Sequence, residues 1–123
     1  MILLVFSVAL MSAQTTADEK KYLGNWKMTW LDLPDGNMTV ILKITEVDGK
    51  LAGVIDEEIN ADGKRKPVSE VVKIKNIEVN GVKLSLMYHA QGYDVGIEVE
   101  LEDEKKFTGT MMGRFETIGE KLM

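Results

Sequence analysis

Twenty Asp and Glu against fifteen Lys and Arg give this 123-residue chain a net charge of −5, and it contains no cysteine. An acidic surface repels phosphate backbones, which argues against nucleic acid as a partner. Without cysteine there is no disulfide framework, thiol nucleophile or thiolate metal site, so the fold must rest on its apolar core.

In chain order, the first element is an uncharged stretch over residues 1–13, almost wholly apolar from Met1 to Met11. It is too short to cross a bilayer core of about 30 Å as a helix. It suits the apolar region of a signal peptide over 1–14, with Ser12-Ala13-Gln14 as small residues for cleavage, although a basic start is missing. A buried first strand or helix is the alternative. No cysteine follows to carry a lipid. The expectation is an exported protein, periplasmic or secreted, with no stable membrane anchor after cleavage. Residues 15–123 then form one domain of about 105–110 residues, enough for its own core.

Ala17 to Leu23 reads as a short helical lid, and Gly24-Asn25-Trp26 opens a ladder of alternating strands. Pro34-Asp35-Gly36-Asn37, Asp48-Gly49, Asp62-Gly63, Asn80-Gly81 and Gln91-Gly92 supply hairpin turns, with weaker ones at Asp103-Glu104-Lys105 and Gly113-Arg114. Seven turns imply about eight strands. A Gln91-Gly92 loop sets Tyr88 against Val95, Leu86 against Ile97, Leu84 against Val99 and Val82 against Leu101. On the other face it sets His89 against Asp94, Ser85 against Glu98 and Lys83 against Glu100. The next hairpin pairs Val99 with Gly109, Ile97 with Met111 and Glu102 with Lys106. An Asp48-Gly49 loop pairs Ile44 with Gly53 and Leu42 with Ile55.

Phase breaks once. Val72 and Ile74 share one parity and Ile77 and Val79 the other, which calls for a bulge near Lys75-Asn76. Val68, Val71 and Val72 also fit a helical turn, and Pro67 marks a late or edge strand. The inward face reads Trp26, Met28, Trp30, Val40, Leu42, Ile44, Leu51, Ile55, Leu84, Leu86, Tyr88, Val95, Ile97, Val99, Phe107, Met111 and Phe115. The expected fold is all-β, an antiparallel up-and-down meander closed as a small barrel, with a two-sheet sandwich as the alternative.

Three segments carry a family resemblance: Leu23-Gly24-Asn25-Trp26-Lys27-Met28, Leu51-Ala52-Gly53-Val54-Ile55, and Phe107-Thr108-Gly109-Thr110-Met111. Over Tyr22 to Glu116 the chain resembles the small lipocalin-like (calycin-type) β-barrel proteins exported by bacteria. The resemblance implies a structural role for Gly24 and Trp26, the indole closing one barrel end. It also implies an arginine stacked on that indole, for which Arg114 is the candidate.

Two polar constellations invite a chemical reading. Glu58-x-Asn60-x-Asp62-Gly63 approximates half of a calcium loop, but Ser69 stands where the bidentate Glu belongs. The favoured account is cross-strand ion pairing of the acids with Lys64, Arg65 and Lys66, Glu58 facing Lys66. His89, the single histidine, pairs with Asp94, but Ser85 lies about 13 Å along the strand. No nucleophile elbow, phosphate loop or dinucleotide fingerprint is present. An enzyme is not expected, nor a metal or any other cofactor. The expected function is binding of a small apolar or amphipathic, lipid-like ligand by Trp26, Met28, Trp30, Tyr88, Met111 and Phe115, with Gly53, Gly109 and Thr117-Ile118-Gly119 leaving room for it. The alternative is a filled barrel that acts through its surface, as an interaction or envelope-associated module.

Overall fold

The computed structural model describes residues 16–90 and 92–122; the proposed leader over 1–14 lies outside them. Among the described residues a short helix, α1 (Ala17–Lys20), is followed by nine antiparallel strands. These are β1 (Gly24–Leu33), β2 (Gly36–Val47), β3 (Lys50–Ile59), β4 (Arg65–Lys73) and β5 (Asn76–Asn80), then β6 (Lys83–Ala90), β7 (Tyr93–Asp103), β8 (Lys106–Met111) and β9 (Phe115–Lys121). They form one sheet in the order β4-β3-β2-β1-β9-β8-β7-β6-β5. The all-β antiparallel meander is therefore as expected, and the seven turn segments are its seven hairpins.

The ninth strand arises where the pattern breaks phase. Ile74 N–H donates to Gly53 O in β3 at 2.9 Å, and the next residue, Lys75, donates to Met87 O in β6 at 2.7 Å. The chain does not bulge within one ladder there, as the parity change suggested. It changes partner, leaving β3 and joining β6. The two ends of the sheet thus meet at one bend, with no ladder between β4 and β5. Val68, Val71 and Val72 belong to a strand rather than a helical turn, and Pro67 lies in an edge strand, where its missing N–H costs no ladder bond.

The expected registers hold. Tyr88↔Val95, Leu86↔Ile97, Leu84↔Val99, His89↔Asp94, Ser85↔Glu98 and Lys83↔Glu100 are all present, and Leu101 N–H donates to Val82 O. Ile44↔Gly53 and Leu42↔Ile55 also occur, as do Val99↔Gly109 and Ile97↔Met111. One expectation is displaced: an irregularity after Leu101 sets Asp103, not Glu102, opposite Lys106. The turn chemistry explains the agreement. Asp48 and Gly49 both have positive φ, 53° and 78°, the two-residue geometry that matches strand twist.

Adjacent antiparallel strands leave the β1–β2, β3–β4, β6–β7 and β8–β9 loops at one end of the sheet. Helix α1 and the β2–β3, β5–β6 and β7–β8 turns lie at the other. The core is the expected inward face, with Leu51 and Phe115 partly rather than fully covered.

Candidate functional site

The α1 end is plugged by aromatic packing. Thr16 and Glu19 cap α1 reciprocally, Thr16 N–H to Glu19 Oε1 at 2.8 Å and Glu19 N–H to Thr16 Oγ1 at 3.1 Å. The helix then delivers Tyr22, fully buried, across the end of the sheet. Its hydroxyl donates to Val82 O, and burial, with help from Glu100 and Asp18, pushes that phenol up to about 12. Trp26 Nε1 donates to Tyr22 O at 2.9 Å. The Trp26 ring lies 4.7 Å from Phe107 and 6.4 Å from Tyr22, centroid to centroid. Above it stands Lys121, its Nζ 5.3 Å from the ring centroid. The cation on Trp26 is therefore a lysine from the last strand. Arg114 stacks instead on Phe115, at 5.4 Å.

The glycines read as room for a ligand are occupied. A Cβ on Gly119 would come within 2.3 Å of the Phe107 ring, and one on Gly53 within 2.8 Å of Ile74. At Gly109 it would meet Glu98 O at 1.9 Å, so that glycine admits the neighbouring strand's backbone. The gaps in side-chain volume are filled by other side chains or by close strand approach, as dense core packing demands.

The six candidate ligand residues divide between two levels. Trp26 belongs to the plugged end and Met28 to the middle of β1, both fully buried. Trp30, paired with Thr117 and Met38, lies towards the opposite end. At that end too are Tyr88, in the last third of β6, and Met111 and Phe115, which face each other across the β8–β9 turn. Trp30 is 5% exposed and its indole Nε1 has no hydrogen-bond partner among the described residues. An unpaired buried donor of this type costs about 1–3 kcal/mol. Beside it Thr117 is fully buried, its hydroxyl donating to Phe115 O at 3.3 Å. Desolvation pushes the Tyr88 phenol up to about 12. Two clefts open elsewhere: one of about 440 Å³ beside Lys21, Val82, Leu101 and Lys121, the other of about 210 Å³ over Ser85, Glu98 and Thr108. Neither includes any of the six residues.

A bulge in β3 changes the face on which an expected pair, Glu58 and Lys66, lies. Ile55 pairs with Leu42 but Glu57 with Ile41, so Asp56 is the extra residue. The register beyond it is reversed, and Glu58, opposite Val40, falls on the inward face with its partner Lys66, whose side chain at this edge stays more than half exposed. Their side chains approach to 3.3 Å. On the outer face Lys43 Nζ lies 2.9 Å from Asp56 Oδ1 and 3.0 Å from Glu57 Oε1. Arg65 binds Glu57 through two nitrogens, at 2.7 and 3.1 Å. These bonds to Arg65 and then Lys43 pull the Glu57 carboxyl down to about 2. Asn60 Oδ1 caps its own turn, accepting from Asp62 and Lys64 N–H. Asp56, Glu57 and Glu58 are engaged in cross-strand ion pairs, with Arg65 and Lys66 as expected and with Lys43, which the sequence pattern did not name.

His89 Nδ1 lies 3.1 Å from Asp94 Oδ1, and both side chains are more than half exposed. The histidine bond and the nearby Lys75 hold the Asp94 carboxyl below its ordinary range. The pair sits on the outer face, away from the interior donors. Compared with known proteins, the chain matches no family model and no curated protein.

Proposed function

We propose that this chain is an exported lipocalin-like barrel that binds a small apolar or amphipathic, lipid-like molecule inside the sheet, at the end away from α1, without cofactor or catalysis. One observation carries the reading: the Trp30 indole N–H is buried on the inward face and has no partner among the described residues. Its surroundings support it. Phe115 is only partly covered, and the Met111 thioether opposite it is of a kind that repacks readily around an apolar guest. Exposed Met38 and Met112 stand at the same end, offering an apolar approach.

A fluorescent fatty-acid probe tests this reading. It should quench tryptophan emission saturably, and competitors should strengthen with chain length, each buried CH₂ contributing about 0.8 kcal/mol. Trp30→Ala should weaken the probe or shift its preference to bulkier ligands. The filled spaces at Gly53, Gly109 and Gly119 favour the second reading, a packed sheet acting through its surface. Absence of saturable quenching, with Trp30→Ala lowering only stability, would give that reading the lead.

A further inference from the structure

Resting on interior binding, we infer that the ligand carries an uncharged carbonyl, as an ester, amide or ketone on an apolar chain, whose oxygen accepts a hydrogen bond from Trp30 Nε1. An indole nitrogen donates only, so the complementary group has to be an acceptor. The donor is nine-tenths buried in apolar company, Trp30 itself being 5% exposed. An acceptor delivered there turns an unsatisfied group into a hydrogen-bonded one without exposing it.

Charge decides which acceptor fits. A carboxylate taken into this interior would lose its hydration and need a cation. The cation that the register brings to the inward face, Lys66, already lies 3.3 Å from Glu58. Lys121 is at the opposite end, over Trp26, and Arg114, which lies over Phe115 at this end, is exposed to solvent, where its own hydration is retained. A buried anion would also sense the Glu58 carboxylate on the same face. The outward Lys43 and Arg65 are engaged with Asp56 and Glu57. An uncharged carbonyl meets none of these penalties. Thr117, opposite Trp30, spends its hydroxyl proton on Phe115 O, which leaves the indole N–H as the donor on offer in that pair.

The experiment compares three twelve-carbon competitors against the fluorescent probe at pH 8: methyl undecanoate, dodecanoate and dodecane. The ester should displace the probe at concentrations about three- to tenfold lower than either of the others, the range one hydrogen bond supplies. Trp30→Phe keeps an aromatic wall and removes the N–H. It should erase the ester's advantage over dodecane, the comparison between the two competitors cancelling what the smaller ring does to both. In ¹⁵N-labelled wild-type protein, the Trp30 indole proton should move downfield with the ester and hold still with dodecane. Dodecanoate binding best, an ester advantage that survives Trp30→Phe, or an unmoved indole proton would each overturn the carbonyl assignment while interior binding stood. Failure of the probe and of all three competitors to bind would overturn both.

Discussion

Gly119 offers the sharpest test of the packing. It lies opposite Phe107 on β8 and Met28 on β1, and a Cβ there would sit 2.3 Å from two atoms of the Phe107 ring and 2.7 Å from a third. Ordinary contact begins near 3.4 Å, so the ring would have to move by about 1 Å. It has little freedom to do so, since its other side lies against Trp26 at 4.7 Å and it is fully buried. Gly119→Ala should therefore cost about 1–3 kcal/mol through overpacking. For a domain of this size, 2 kcal/mol corresponds to a fall in Tm of about 8–16 °C. The assay is thermal or urea unfolding followed by near-ultraviolet circular dichroism, which reports the Trp26–Phe107 contact. Phe107→Leu removes the offending ring atoms, so in the double mutant the alanine's penalty should shrink by at least about 1 kcal/mol. Gly96 provides the control: a Cβ there meets nothing within 4 Å, and Gly96→Ala should stay within about 0.5 kcal/mol of wild type. A Gly119→Ala protein as stable as wild type, or a penalty indifferent to Phe107→Leu, would refute the filled-gap account.

Tyr22→Phe should lower stability by about 0.5–1.5 kcal/mol in urea unfolding, because Val82 O keeps only its bond from Leu101 N–H. His89→Ala should change stability by only a few tenths of a kcal/mol, as suits an exposed pair with Asp94; a larger loss would contradict its outward placement. The Glu57 carboxyl is depressed to about 2 from 4.5, so its contribution is present above pH 4.5 and fades as pH falls towards 2. Acid titration of unfolding midpoints should show Glu57→Gln flattening that window while leaving neutral-pH behaviour of the interior unchanged.

Local chemistry made much of this fold legible. Paired hairpin residues such as Asp48-Gly49 set a loop of two, and once the loop is set the period-two alternation permits a single register for β2–β3, β6–β7 and most of β7–β8. Because inward positions follow from register, the six candidate ligand residues could be named, as could the outward His89–Asp94 pair. Interactions between distant segments were decided only by the tertiary structure. The β1–β9 ladder joins Trp26 to Lys121, so nothing local reveals that Lys121 rather than Arg114 covers the indole. The Asp56 bulge leaves no mark in an acidic run, yet it turns Glu58 and Lys66 inward. Glycine reads in sequence as missing volume, and whether that volume is empty depends on which neighbour reaches it. At Gly119 the neighbour is Phe107 and at Gly53 it is Ile74, at separations a one-dimensional pattern does not encode. The same holds for Trp30: alternation points its ring inward, but whether its N–H finds a partner depends on the three-dimensional set of acceptors around it.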